Sequence, residues 1–324
     1  MSPVLVTGAN GYLGTRLVAQ LLRGGAEVRG VVRSREAEDG LRAAVRRGGA
    51  DDAGLTVAVA GLTADDGWAE ALAGVEEVHH VASPMVASND PDEVVVPARD
   101  GTLRVLRAAR DAGVRRVVMT SSFAAVGYSP KPVREYDEDD WTDPDTPGLA
   151  AYPRSKAVAE RAAWDFVDRE GGDTELVVVN PTWIAGPTLV PEVRSSLTVF
   201  RMMVDGTMTP LPRQRFGIAD VRDVAAAHLA AVATPAAAGR RYLVLADGPT
   251  WTWLDVARLL RDRLGPLGAR ISLDQAPGDE PAPLVIHNDR AKHDLGFRPL
   301  PAEETLQETV TSMEHSGLFG PPAD

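Results

Sequence analysis

Residues 4–14 read Val4-Leu5-Val6-Thr7-Gly8-Ala9-Asn10-Gly11-Tyr12-Leu13-Gly14. An apolar β-run feeds a loop punctuated by Gly8, Gly11 and Gly14. A helical pattern of Leu13, Leu17, Val18, Leu21 and Leu22 follows. Strand, glycine loop and helix in this order are how a doubly wound α/β fold binds a dinucleotide. Glycine permits the tight turn, lets backbone N–H groups approach a pyrophosphate, and lets the helix pack close to its strand. The helix N-terminus then turns its partial positive charge toward the phosphates.

The end of the second strand, about 20 residues past such a loop, is where these folds read the ribose. Here the chain has Val31-Val32-Arg33-Ser34-Arg35. An NAD site places Asp or Glu there to hold the 2′-hydroxyl. Arg33 offers a guanidinium instead, which pairs well with a 2′-phosphate. The expected cofactor is NADP(H).

Composition narrows the function classes. The 324 residues suit one large α/β unit with a smaller lobe. The 46 acidic and 34 basic residues give a formal charge of −12, the wrong sign for nucleic-acid binding. With no cysteine, thiolate catalysis, disulfides and cysteine-ligated metals are excluded. No apolar run approaches a membrane span, and the first strand begins too early for a signal peptide, so the expected location is cytoplasmic.

Strand and helix patterns alternate through the first half, which predicts a parallel sheet covered on both faces. Strands are expected at 3–6, 27–32, 55–60, 77–81, 114–120 and 176–180. Helices are expected at 11–23, 66–73, 92–112 and 151–169. The charged stretch 34–54 should hold one short helix. After Asn180 the pattern loosens, with Pro181, Pro187, Pro191, Pro210 and Pro212 as punctuation. The expected division is a dinucleotide-binding domain at 1–180, with 216–234 returning to it. Residues 181–215 and 235–324 would form a substrate-binding lobe, with a short strand at 241–245 and helices at 220–234, 253–264 and 301–315.

Tyr152-Pro153-Arg154-Ser155-Lys156 opens one of these helices. Tyr and Lys at i and i+4 share a face, and an ammonium beside a phenol favours the phenolate. Tyr152 is thereby a candidate general acid/base. The preceding strand ends in Met119-Thr120-Ser121-Ser122, on the carboxyl side of the sheet where such folds place ligands.

These motifs together resemble the extended short-chain dehydrogenases/reductases, whose nucleotide domain is the Rossmann fold. Thr7 to Gly14 is similar to that family's cofactor signature, and Ser122, Tyr152 and Lys156 to its catalytic triad. Within the family the chain most resembles the branch of dihydroflavonol reductases, cinnamoyl-CoA reductases and methylglyoxal or aldehyde reductases. Supporting segments are His80-Val81-Ala82-Ser83-Pro84, 137–141, Asn180-Pro181-Thr182 and 220–228. The resemblance implies that backbone N–H groups around Tyr12 and Leu13 hold the pyrophosphate and that Arg33 holds the 2′-phosphate. Leu62 would pack near the adenine. Ala82, Ser83 and Pro84 would line the ribose and nicotinamide side. Lys156 would also hydrogen-bond the nicotinamide ribose, and Pro181, Thr182 and Trp183 would approach the carboxamide. The family commonly has Asp before that Leu; this chain has Gly61, so one adenine hydrogen bond is expected to be missing. The family places its serine second in the Thr-Ser-Ser run, selecting Ser122 and leaving Ser121 a structural hydroxyl, since adjacent strand residues point to opposite faces.

The resemblance also separates reactions. Dehydratases carry an Asp-Glu pair directly after the catalytic Ser or Thr, where this chain has Phe123-Ala124. Sugar epimerases tend to carry Asn at the position of Pro97, four residues before Gly101. The expected activity is NADPH-dependent reduction of an aldehyde or ketone. A nucleotide-sugar epimerase or dehydratase, or a non-catalytic NADP-binding regulator, stands as the alternative. Apolar residues expected to face the small-molecule carbonyl substrate are Met85, Phe123, Tyr128, Trp183, Phe200, Met203 and Phe216. Adjacent His79 and His80 diverge on a strand and His228 reads as a packed helix residue, so no metal site is expected. Helices 92–112 and 151–169 could pair with their copies into a four-helix bundle, which leaves homodimer and monomer both open.

Overall fold

Alternation of side chains across the strands sets the layers. In β1 (Val4–Thr7), Val6 enters one hydrophobic cluster while Leu5 enters another. The same split recurs in β5 (Arg116–Thr120), with Val118 on one face and Val117 and Met119 on the other. A sheet apolar on both faces must be covered on both.

The structure, a computed structural model, describes residues 2–84, 88, 90–193 and 195–319. After β1 come α1 (Tyr12–Arg23), β2 (Val28–Val32), α2 (Glu38–Arg47), β3 (Leu55–Val59), α3 (Trp68–Leu72) and β4 (Glu77–His80). Then follow α4 (Pro91–Asp111), β5, a short β6 (Glu135–Tyr136), α5 (Ala151–Glu170) and β7 (Glu175–Pro181). The second half holds β8 (Trp183–Ala185), α6 (Thr198–Val204), β9 (Arg215–Phe216), β10 (Ile218–Asp220), α7 (Val221–Ala233) and β11 (Arg241–Val244). It ends with β12 (Trp251–Thr252), α8 (Trp253–Arg263), β13 (Val285–Ile286), α9 (Asp289–Leu295) and α10 (Ala302–His315).

The central sheet is parallel with seven strands in the order β11-β7-β5-β4-β1-β2-β3. The chain runs outward from β1 to β3, then restarts at β4 on the other side of β1. This reversal opens a crevice at the carboxyl ends of β1 and β4, the ligand position of doubly wound sheets. One face carries α1, α2 and α7 with most of the second-half elements. The other carries α3, α4 and α5, whose Trp68, Leu106 and Phe166 meet Leu5 and Val117.

Two boundaries differ from the sequence reading. Arg241–Val244, grouped there with the lobe, pairs with β7 as the edge strand of the central sheet. Three of its four residues carry β-branched, aliphatic or aromatic side chains, and all four are buried. The free edge is closed by Glu138, whose Oε1 accepts the Leu243 N–H at 3.0 Å. Helix α6 lies within 181–215, where the sequence shows only proline-broken segments; its Phe200 and Met203 are buried.

Candidate active site

The glycine loop is built so that no side chain fits. Gly8 has φ +62, and an added Cβ would stand 3.0 Å from the Ala82 Cα. A Cβ at Gly14 would sit 2.1 Å from the Gly8 carbonyl oxygen, a hard clash between loop and helix. Gly11 is the N-cap of α1, and no side chain caps the helix. The first N–H groups of α1, Tyr12 and Leu13 among them, are thus left for an anion. The Tyr12 side chain points away from this cradle into the core: it is buried, and its hydroxyl donates to the Gly186 carbonyl at 2.6 Å. Burial first, and Asp220 second, hold this phenol well above its ordinary value.

At the end of β2, Arg33 is exposed and makes no hydrogen bond or ion pair with any described residue. Arg35 is committed elsewhere, to Glu38 and to the Val57 carbonyl at 3.0 Å. Of the two arginines, Arg33 is the one whose guanidinium no described residue engages. Leu62 packs against α4 at Gly101, where an added Cβ would stand 3.0 Å from the Leu62 Cβ. Gly61 has open space where a Cβ would be, and its carbonyl accepts Trp68 Nε1 at 3.0 Å.

At the end of β4 the Thr7 hydroxyl accepts the N–H groups of Val81 and Ala82, each at 3.0 Å, and meets His80 Nδ1 at 2.9 Å. This fixes the Ala82-Ser83-Pro84 turn. Lys156, on α5, donates to Ser83 Oγ at 3.2 Å, and its Nζ stands 5.8 Å from the Tyr152 ring centre. Tyr152 is 49% exposed. Ser122 caps the short turn 123–125, its Oγ accepting the Ala124 N–H at 3.1 Å. An oxygen that accepts from backbone keeps its own hydrogen to donate outward. Pro181 ends β7, and the Thr182 hydroxyl beyond it is buried without a hydrogen-bond partner.

A dinucleotide fits what these residues present: a side-chain-free cradle at a helix N-terminus, a free arginine beside it, and an orphaned buried hydroxyl at the opposite end.

The apolar residues separate into two groups. Phe200 and Met203 are fully buried core side chains, at 0% and 1% exposure, because α6 turns its apolar face inward. Phe123 is likewise buried, edge-on to Tyr136 with ring centres 5.7 Å apart and seated on Gly127. Phe216 is buried against Trp253 with centres 4.1 Å apart. These four supply no open wall. Trp183 is half-buried, stacked on Phe200 at 5.0 Å. Tyr128 is 40% exposed and interacts with Tyr152; burial and that neighbour raise its phenol, while a hydrogen bond to Gln214 opposes them. Met85 lies outside the described residues.

Sequence reasoning missed the polar support beneath the triad. Glu160 is fully buried one turn after Lys156. Its Oε2 accepts the Ser121 hydroxyl at 2.5 Å and Asn180 Nδ2 at 2.7 Å, while Arg241 Nε lies 2.7 Å from Oε1. Asn180 Nδ2 also donates to the Ser122 carbonyl at 3.2 Å. The signal available was Glu160 at i+4 from Lys156 on the Tyr152 face. The histidines are polar core groups: His79 Nδ1 meets His228 Nδ1 at 3.4 Å, and His228 Nε2 meets the Thr120 hydroxyl at 2.8 Å. Among the described residues no cluster of three or more His, Asp or Glu could hold a metal ion.

Known proteins share this architecture. The model of the NAD dependent epimerase/dehydratase family matches residues 4–244. Cinnamoyl-CoA reductase 1 of Petunia hybrida is 35% identical, over 97% of this chain and 92% of the relative. The crystal structure of yeast methylglyoxal/isovaleraldehyde reductase complexed with NADPH superposes with a TM-score of 0.81 at 27% identity, covering 97% of this chain and 99% of that one. Vestitone reductase from alfalfa (Medicago sativa) gives a TM-score of 0.79 at 26% identity, with 98% and 99% covered. The glycine cradle, the Ser122, Tyr152 and Lys156 set and likeness over nearly the whole length lead to one assignment: the chain belongs to the NAD dependent epimerase/dehydratase family of extended short-chain dehydrogenases/reductases, in its reductase branch.

Proposed function

We propose that this protein is an NADPH-dependent carbonyl reductase that converts an aldehyde or ketone to an alcohol. The observation that carries the reading is this arrangement: an exposed Tyr152 with the Lys156 ammonium 5.8 Å from its ring centre, on a helix packed against the turn that Ser122 caps with its hydroxyl hydrogen free. No acid follows Ser122, since Phe123 is buried and Ala124 is apolar, so an elimination has no proton acceptor there. The likeness to cinnamoyl-CoA and methylglyoxal reductases supports the same side.

Backbone around Gly8 to Leu13, Arg33, Ser83, Lys156 and Thr182 would hold NADPH, which when bound supplies the hydride. Ser122 donates a hydrogen bond to the substrate oxygen. Tyr152 gives that oxygen its proton as negative charge develops. The Lys156 ammonium stabilises the phenolate left behind. Preorganised donors aimed at developing charge are commonly the largest catalytic contribution. Tyr128 and Trp183, partly exposed and ring-shaped, suit an uncharged, moderately bulky carbonyl such as an aryl aldehyde, aryl ketone, diketone or keto ester.

The test is to incubate the protein with NADPH and either a panel of such carbonyls or UDP- and dTDP-hexoses. Stoichiometric NADPH oxidation with carbonyls is expected. Sugar conversion without net cofactor consumption, and no carbonyl turnover, would overturn the reading in favour of an epimerase.

A further inference from the structure

Glu160 follows Lys156 by one helical turn and Tyr152 by two, about 12 Å along α5. It is completely buried, yet it contacts three other elements: Ser121 at the end of β5, Asn180 near the end of β7, and Arg241 at the start of β11. Through Asn180 it also holds the Ser122 carbonyl. Lys156, Ser83, His80, Ser121 and Glu160 line one small cavity, so the carboxylate shares the space beneath the catalytic lysine. Arg241 is itself buried, with its guanidinium stacked 3.7 Å over the Trp141 ring and Nη1 donating to the Asp140 carbonyl at 2.8 Å.

We propose that Glu160 is a positioning residue for Ser122 and that Arg241 balances its charge, so that the pair places no net charge beneath the Tyr152 and Lys156 face of α5. This inference rests on the reading of Tyr152 as the proton donor.

Beside Arg241 lie Glu138 and Asp139, both already paired with Arg290, at 3.8 and 2.7 Å. His80, from β4, faces Lys156 but stays neutral, because burial lowers it to about 3. Tyr128 faces Tyr152 from the 126–134 loop and is held protonated by burial. Glu160 on α5 and Arg241 on β11 are the opposed pair. A buried pair broken on one side leaves an uncompensated charge close to the reaction. At about 12 Å and an effective dielectric near 20, one unit charge changes a proton affinity by about 1 pH unit.

The experiment follows kcat/KM for one carbonyl that the wild type reduces, between pH 5 and 10. Glu160→Gln leaves the Arg241 cation behind and favours the phenolate. Its alkaline limb is expected to move down by about 1 pH unit, and kcat to fall roughly tenfold or more as Ser122 loses its support. Arg241→Met leaves the carboxylate and should move the limb up by a similar amount. The double variant removes both charges and should return the limb to the wild-type position. If Arg241→Met does not fold, the reversal of the Glu160→Gln shift in the double variant decides the matter. NADPH binding by fluorescence should stay near the wild-type value in each folded variant. Unmoved limbs in folded variants, with only thermal stability changed, would overturn the proposal and leave the pair a structural rivet. Tyr152→Phe in the same assay separates the two readings: if it keeps full activity, the assignment of Tyr152 has failed instead.

Discussion

At the residue scale, the division of labour between neighbours is sharper in the structure than in the sequence. Ser121 and Ser122 are adjacent hydroxyls, but Ser121 is spent on Glu160 and Ser122 is left with a hydrogen to give. Arg33 and Arg35 are close in sequence, but only Arg33 is unengaged. Two predictions belong here. Tyr152→Phe keeps the ring and removes the proton; kcat should fall roughly 10²-fold or more, the range of general acid–base groups, with NADPH binding by fluorescence nearly unchanged. Arg33→Asp should erase or reverse a preference for NADPH over NADH, measured as the ratio of kcat/KM values, because a carboxylate repels a 2′-phosphate and accepts from a ribose hydroxyl. Equal use of NADH by the unaltered protein would sink that assignment. The glycine loop and the candidates Ser122, Tyr152 and Lys156 are legible because local spacing carries them. Asn180 and Arg241 were not, because their meaning depends on β7 and β11 lying side by side.

At the scale of elements, the parallel strands and their helices were readable to within a residue or two, because each has a period of its own. What the sequence did not convey is which short segments join the central sheet. From sequence β11 reads with the lobe because it follows proline-broken chain; its pairing with β7 is a non-local fact. Phe123, Phe200 and Phe216, expected at the substrate, are buried for a related reason. Apolar residue type says that a side chain prefers to be out of water, and not whether a core or a pocket takes it. Trp183 is the joint between the two: stacked on Phe200, edge-on to Phe216 and Trp253, and still partly open. Trp183→Ala should destabilise the fold by about 3 kcal/mol in urea denaturation, through the cavity left among those rings. It should also shift selectivity between small and bulky ketones by about 1–3 kcal/mol in kcat/KM. Loss of stability with no change in selectivity would make Trp183 plain core.

At the scale of the whole molecule, the sheet is crossed by a set of histidines that must stay uncharged. His79 and His80 sit on β4 and His228 on α7, all buried at 2% exposure or less. Burial lowers His79 and His80 to about 3 and drives His228 well below its ordinary value, with the neighbouring histidines adding to it. In the unfolded chain each takes up a proton near pH 6.5. Between about 6.5 and 3, therefore, the unfolded state binds more protons, and the stability these groups contribute is full above 6.5 and lost as pH falls. Asp223 works the other way. Burial raises it to about 6, so below that pH the folded state binds its proton first and gains stability down to the ordinary carboxylate range. Glu138 is raised by burial as well and offsets the histidines in the lower part of the window. In the upper part, three histidines against Asp223 leave a net of about two protons, or roughly 3 kcal/mol of stability lost per pH unit. If the domain lies at the low end of the usual range, at about 5 kcal/mol, acid unfolding should begin a little below pH 5. Urea denaturation at pH 7.5, 6.0 and 5.2 measures the slope directly. His228→Gln, which keeps a polar group opposite Thr120 and removes one titration, should reduce the slope by about one proton, roughly 1.4 kcal/mol per pH unit. A stability that is flat across those three pH values would mean that the histidines take up protons in the folded state and that the polar core is open to water.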